Sequence, residues 1–145
     1  MDLGLGGQVA LVAAASRGLG KAAALALARE GARLAVLARS EQIRATADEI
    51  RRETGAEVLA IQGDVLQPAD IERAVAETLK EYGQIDILIV NAGGPRPGEF
   101  LDLAPSQQEE DIRLLAPNLL EQLQRKLDIT NAHWLHYRRL FTTPN

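Results

Sequence analysis

A glycine-rich turn at residues 14–20, Ala14-Ala15-Ser16-Arg17-Gly18-Leu19-Gly20, joins an apolar run to a helical pattern. Such a turn suits a phosphate. The first N–H groups of a helix have no partner within it and carry partial positive charge, and glycine lets an anion approach the backbone. After the first strand of a β–α–β unit, the turn fits a dinucleotide pyrophosphate. A tight strand–helix turn without a ligand is the plainer alternative. Arg39 and Ser40 follow the second apolar run. An acid there would accept hydrogen bonds from a ribose 2′-hydroxyl and repel a 2′-phosphate. None stands there until Glu41. Arg39 can pair with a phosphate, Ser40 can donate to one, and Arg17 adds a second positive charge. These residues favour NADP over NAD; the alternative for Arg39 is a solvated residue opening the next helix. Asp64 follows the third apolar run and precedes Pro68, so it can order that turn. Asn91 follows the fourth run. In a parallel sheet that is the ligand-binding edge, although Asn91 can also simply brace its loop.

These residues need elements to position them. Residues 8–15 (QVALVAAA), 33–38 (RLAVLA), 57–62 (EVLAIQ) and 85–90 (IDILIV) read as short strands buried on both faces. Helical stretches at 18–30, 41–54 and 68–82 separate them, with Gly31, Gly55 and Gly83 just past their ends and Pro68 at the start of the third. In the first helix Ala22, Leu25, Ala26 and Arg29 share one face. Strand starts at 8, 33, 57 and 85 are 25, 24 and 28 residues apart, the length of a return to a parallel strand. The expected fold is a doubly wound, Rossmann-like α/β sheet of about four parallel strands with helices on both faces.

After Val90 comes a Gly/Pro loop, then a helical stretch at 105–127 interrupted by Pro117. Its leucine stripe, and the apolar edge left by the fourth strand, predict association into a homo-oligomer. Residues 128–145 form a divergent, aromatic-rich tail, so the expected division is a dinucleotide-binding domain at 1–127 and a tail at 128–145.

Composition removes several classes of function. The chain has 145 residues, 46% of them apolar, enough for one domain. Its net charge is −4, which argues against general electrostatic binding to nucleic acid or an anionic membrane. There is no cysteine, hence no disulfide and no thiolate nucleophile. His133 and His136 are three apart and could face one side of a helix, but only Asp128 stands in the tail as a third ligand, so no metal site is expected. The absence of a long apolar run and of a basic leader at residues 1–8 predicts a cytoplasmic location.

Taken in order, the motifs resemble the short-chain dehydrogenase/reductase family. VAAASRGLGKAAA resembles its T-G-x-x-x-G-x-G loop, with Ala13 in place of Thr and Ala14 in place of the first Gly. GDV at 63–65 resembles its D-V pair, and NAG at 91–93 its N-N-A-G, with Val90 in place of the first Asn. The run NAGGPRPGEFLDL looks closest to 3-oxoacyl-(acyl carrier protein) reductase-like members. The resemblance covers residues 8 to about 127. It implies NADP-dependent hydride transfer between carbonyl and alcohol, with 3-oxoacyl substrates among the candidates. It also implies cofactor contacts at Ala14, Ser16, Arg17, Gly18, Leu19, Gly20, Arg39, Ser40, Asp64, Val65, Asn91, Ala92 and Gly93. Asp64 and the Val65 backbone then lie beside the adenine. The family's acid is a Tyr with a Lys four residues on and a Ser about thirteen before. Here Tyr82 is followed by Asp86 at that spacing and Tyr137 by Phe141, and neither has the Ser. No catalytic residue is therefore assigned. The alternative function is a non-catalytic nucleotide-binding or interaction module left from a truncated reductase.

Overall fold

Continuous apolar runs without polar alternation need burial on both faces, and a parallel sheet between two helix layers supplies it. The computed structural model describes residues 2–89 and residue 91. It contains strands β1 (Val9–Ala13), β2 (Arg33–Ala38), β3 (Val58–Gln62) and β4 (Ile87–Ile89), and helices α1 (Gly18–Arg29), α2 (Gln42–Thr54) and α3 (Pro68–Tyr82). The sheet order is β3-β2-β1-β4, and every pair is parallel. Val9 lies opposite Arg33 and Ala13 opposite Leu37, while Leu34 lies opposite Val58 and Ala10 opposite Ile87. This is the doubly wound sheet of four parallel strands that the sequence predicts.

Side chains alternate across each strand and build two cores. Ala10 and Val12, with Leu34 and Val36, pack among Ala24 and Ala28 of α1 and Ile43, Ala47 and Ile50 of α2. Leu11 and Ala13, with Ala35, Leu37 and Ile61, pack among Ile71, Ala74 and Val75 of α3. Thus α1 and α2 cover one face and α3 the other. The chain winds outward from β1 to β3, then crosses back to place β4 on the far side of β1. That reversal is the switch point of the strand order, and in such sheets ligands bind outside the carboxyl ends of the strands there.

The buried face of α1 differs from expectation. It is Gly20, Ala24 and Ala28, whereas Ala22, Ala26 and Arg29 are exposed and Leu25 is half-buried. A helix made of Ala and Leu has little polar contrast to mark its inner side. Here the smallest residues, four apart, face the sheet and let α1 come close to it. Strand β1 ends at Ala13 rather than Ala15, because Ala14 turns out of extended conformation at φ 51°.

The amino edge of the sheet is tied by polar contacts. The Asp86 carboxylate accepts the Val9 N–H at 2.8 Å, and the Asp86 N–H donates to the Val9 carbonyl at 2.8 Å. The Tyr82 hydroxyl donates to the Leu34 carbonyl at 3.0 Å, with the Arg33 guanidinium 5.3 Å from its ring centre. Among the described residues, no helix is long and apolar enough to cross a membrane. The helical stretch at 105–127 and the division into 1–127 and 128–145 lie outside the described residues.

Ile50 is fully buried where α2 meets β2 and β3. Ile50→Ala should therefore lower stability by about 2–5 kcal/mol. Urea unfolding measures this, and a loss below about 1 kcal/mol would mean that α2 is not part of the cooperative core.

Candidate functional site

All four strands are parallel, so every strand-to-helix connection opens at one edge. The structure brings the glycine turn, Arg39 and Ser40, Asp64 and Val65, and Asn91 to that carboxyl edge, after β1, β2, β3 and β4 respectively. Ala92 and Gly93 lie outside the described residues.

The glycine turn is bent by Ala14, the only non-glycine among the described residues with positive φ, at 51°. Ala14 occupies the first glycine position of the resembled motif, and a left-handed residue is the physical reason for glycine there. Three contacts hold the turn. The Ala15 N–H donates to the Leu37 carbonyl at 3.1 Å. The Thr46 hydroxyl donates to the Ser16 carbonyl at 2.9 Å. Gly20 packs so closely that a Cβ there would lie 2.3 Å from the Ala14 oxygen, so no other residue fits. Gly18 begins α1 with φ 59°, and a Cβ there would meet open space.

The start of α1 is left unsatisfied. Arg17 precedes it in extended conformation; no side chain caps it, and no acid lies in its first turn. Its first bond runs from the Lys21 N–H to the Arg17 carbonyl, at 3.4 Å. The N–H groups of Gly18, Leu19 and Gly20 find no acceptor among the described residues. Unpaired donors at the positive end of a helix dipole make an anion site.

A second concavity lies beside it, an open groove of about 410 Å³ lined by Arg39, Gln62, Gly63, Asp64, Asp70 and Arg73. The Gln62 side-chain amide donates to the Arg39 carbonyl at 3.0 Å, joining the ends of β2 and β3. Arg73 donates to the Gln62 carbonyl at 2.6 Å, and the Asp70 carboxylate accepts the Asp64 N–H at 2.8 Å. Arg73 and Asp70 pair with each other at 3.2 Å. The Asp64 N–H, then Arg73, hold the Asp70 carboxyl below its ordinary value of 3.8. Asp64 itself orders the turn, one carboxylate oxygen accepting the Leu66 N–H at 2.9 Å, while the other has no partner among the described residues. The Val65 side chain is buried in the core, so only its backbone is available. The Ser40 oxygen accepts the Gln42 N–H at 3.2 Å, leaving the hydroxyl proton to donate. The exposed guanidiniums of Arg17 and Arg39 have no partner among the described residues.

Thr46, Gln62, Asp70 and Arg73 escape the sequence reading. Asp70, Arg73 and Glu77 carry a faint signal, charges three and four apart in the helix that follows the Asp64 turn. Thr46 carries only its place between buried Ile43 and Ile50. Tyr82 stands at the opposite, amino edge, its hydroxyl engaged by Leu34 and its pKa pushed up by burial and then by Glu57 and Glu81. Among the described residues, no cluster of three His, Asp or Glu could hold a metal. Tyr137, Lys126, His133 and His136 lie outside them.

Comparison with known proteins gives a consistent answer. A family model described as short chain dehydrogenase matches residues 8–119. Sorbitol dehydrogenase of Cereibacter sphaeroides is 45% identical over 119 residues, covering 79% of this chain and 43% of that protein. The oxidoreductase UcpA of Salmonella typhimurium is 39% identical over 110 residues, covering 76% of this chain and 41% of that one. Among solved structures, L-sorbose reductase from Gluconobacter frateurii, complexed with NADPH and L-sorbose, superposes with a TM-score of 0.77 at 29% identity. That match covers 88% of this chain and 49% of the other. The chain thus spans less than half the length of these relatives.

Two outcomes follow from the geometry. Ala14→Gly relieves a left-handed alanine and should raise stability by about 1 kcal/mol in urea unfolding; a loss would show that Ala14 is unstrained. Asp70→Asn should lower stability at about pH 7, and the deficit should shrink in acid. The sign follows from the lowered folded-state pKa of Asp70: its contribution is complete above 3.8 and disappears as the pH falls through the folded value. Urea midpoints of both proteins at about pH 7 and about pH 2 check this, and a pH-independent deficit would refute it.

Proposed function

The chain belongs to the short-chain dehydrogenase family, and from that premise we propose that it binds NADP(H) across the carboxyl edge of its sheet. In this reading it is the cofactor-binding part of an oxidoreductase that interconverts a carbonyl and an alcohol. The observation that carries the reading is the unsatisfied, uncapped start of α1, reached through a turn that admits only glycine at residue 20. The bound nicotinamide supplies the hydride donor or acceptor.

The chain's own residues bind and orient. The backbone from Ala14 through Ser16, Arg17, Gly18 and Leu19 to Gly20 receives the pyrophosphate. Arg39 and the Ser40 hydroxyl take the 2′-phosphate, with Arg17 adding positive charge from the turn. Asp64 and the Val65 backbone border the adenine, and Asn91, Ala92 and Gly93 continue the site beyond β4. The preference for NADP rests on charge balance. Asp70 lines the groove, but its charge is matched by Arg73 and its oxygens are in use. Arg39 is left as the groove's cation without an ion-pair partner among the described residues; Asp64, the anion without one, lies at the end of β3, where the adenine would lie.

For the substrate, sorbitol dehydrogenase and L-sorbose reductase are named for a polyol and a ketose, and we assign the class of compounds in which a hydroxyl-bearing carbon is exchanged with a carbonyl. These relatives lend no support to a 3-oxoacyl thioester in particular. Proton delivery is a separate requirement, because general acid help contributes about 10²–10⁴ in rate. Tyr82 does not supply it, being bound at the opposite edge. Slow turnover by this chain alone is the consequence.

Calorimetric titration tests the reading. NADPH should bind at least about tenfold more tightly than NADH, a difference of about 1.4 kcal/mol, and Arg39→Asp should reverse the order. Equal affinities would remove the charge argument, and no binding of either cofactor would remove the proposal.

A further inference from the structure

We propose that Thr46 is a positioning residue for the dinucleotide, its hydroxyl pinning the glycine turn in a shape that Ala14 opposes. The inference rests on the reading that the turn receives the pyrophosphate.

Two threonines are buried among the described residues, Thr46 and Thr78. Thr78 does what a buried helical threonine ordinarily does, donating to the Ala74 carbonyl one turn back at 2.7 Å. Thr46 does not. Its hydroxyl leaves α2 and donates to the Ser16 carbonyl, thirty residues earlier in the chain, at 2.9 Å. With only 3% of the residue exposed, water offers little replacement for that bond.

The bonded carbonyl is well placed to control the site. It belongs to the peptide between Ser16 and Arg17, immediately before the unsatisfied N–H groups of α1. Two residues before it stands Ala14 at φ 51°, a conformation that alanine leaves when nothing holds it. The Thr46 bond fixes the turn on one side of Ser16, and the contact of Gly20 with the Ala14 carbonyl fixes the other. Lys21 and Glu49 pair at 2.7 Å, keeping α1 and α2 in the register that lets Thr46 reach.

A conditional dependence follows. While residue 14 is alanine, losing the Thr46 hydroxyl lets the turn relax and scatters its donors. In Ala14→Gly the left-handed shape carries no strain, and the pin is dispensable. A residue that merely filled space in α2 would show no such dependence.

The test compares wild type, Thr46→Val, Ala14→Gly, the double variant and Thr46→Ser. NADPH affinity is read by calorimetry, and amide exchange at Ala15 and Ser16 is read without ligand. Thr46→Val should weaken NADPH binding about tenfold when Ala14 is retained, the scale of one buried hydrogen bond. In the Ala14→Gly background the loss should stay under about threefold, a departure from additivity that marks coupling. Thr46→Ser, which keeps the hydroxyl, should bind within about threefold of wild type. Exchange at the Ala15 N–H should quicken in Thr46→Val only when Ala14 is retained. Equal losses in both backgrounds, or no loss in either, would overturn the inference. If wild type fails to bind NADPH, the functional reading falls, while the exchange comparison still decides the pin. Should Thr46→Val not fold, the double variant folding and exchanging like Ala14→Gly supports the pin, and its failure to fold as well refutes it.

Discussion

The approach of α1 to the end of β1 sets the geometry of the whole carboxyl edge. At Gly20 the helix backbone lies so near the Ala14 carbonyl that a single Cβ would come within 2.3 Å. Ala24 and Ala28 continue this thin stripe along the helix, so α1 lies low on the sheet with its amino end over the strand it follows. Because α1 is low, α2 can pack beside it on the same face, joined by Lys21 and Glu49. Thr46 then falls within reach of the turn it bonds. A larger residue at position 20 would lift α1, and it would separate the helix donors from the strand end that presents them.

The two edges of the sheet use their polar groups in opposite ways. At the amino edge, polar groups hold the fold: Asp86 on Val9, Tyr82 on Leu34 and Arg33 on the Gly7 carbonyl and over the Tyr82 ring, with the buried Arg33 Nε left without a hydrogen-bond partner among the described residues. A phenol held by a backbone carbonyl and pushed toward a higher pKa by burial is poorly suited to proton transfer. At the carboxyl edge, hydrogen bonds go to the backbone of the turns, through Thr46, Gln62, Asp70 and Arg73. What stays unpaired there, among the described residues, includes the helix start, the guanidiniums of Arg17 and Arg39, one Asp64 carboxylate oxygen and the Ser40 hydroxyl proton. One sheet thus has a closed end and an open one, and direction along the strands distinguishes them.

Much of this is legible in the amino-acid sequence. Strand β2 and helix α3 have the bounds that the apolar runs and the Pro68–Gly83 punctuation indicate, because burial on both faces and helix-stop glycines are local signals. The site's location follows from counting parallel strands, since parallel order alone puts all the turns on one edge. The inner face of α1 is not legible, because its sequence offers only Ala, Leu and Gly, with Lys21 and Arg29 as the sole charges. Nor are Thr46 and Asp70, whose roles depend on partners brought near by helix packing rather than by sequence spacing. Ala14 falls between: its departure from the family's glycine is visible in the sequence, but only its left-handed backbone shows what that departure costs.

Order is distributed unevenly across the site. Every residue of β1 is buried, and the turn after it is held by three contacts from β2, α1 and α2. The groove by Arg39 is closed beneath by the mutual pairing of Asp70 and Arg73, which also grip Asp64 and Gln62. By contrast β4 is three residues long, with Ile87, Leu88 and Ile89 all only half-buried among the described residues, and Asn91 follows directly from it. Local stability tracks buried apolar contact, so among the described residues the edge is firmest at the glycine turn, which follows the fully buried β1. A dinucleotide lying from Arg39 across the turn toward Asn91 would be gripped through its phosphates and adenosine. Its reactive end would lie at the carboxyl end of β4. In the proposed reading, affinity and cofactor choice would belong to groups within β1 to α3, and the alignment on which hydride transfer depends to groups at the carboxyl end of β4.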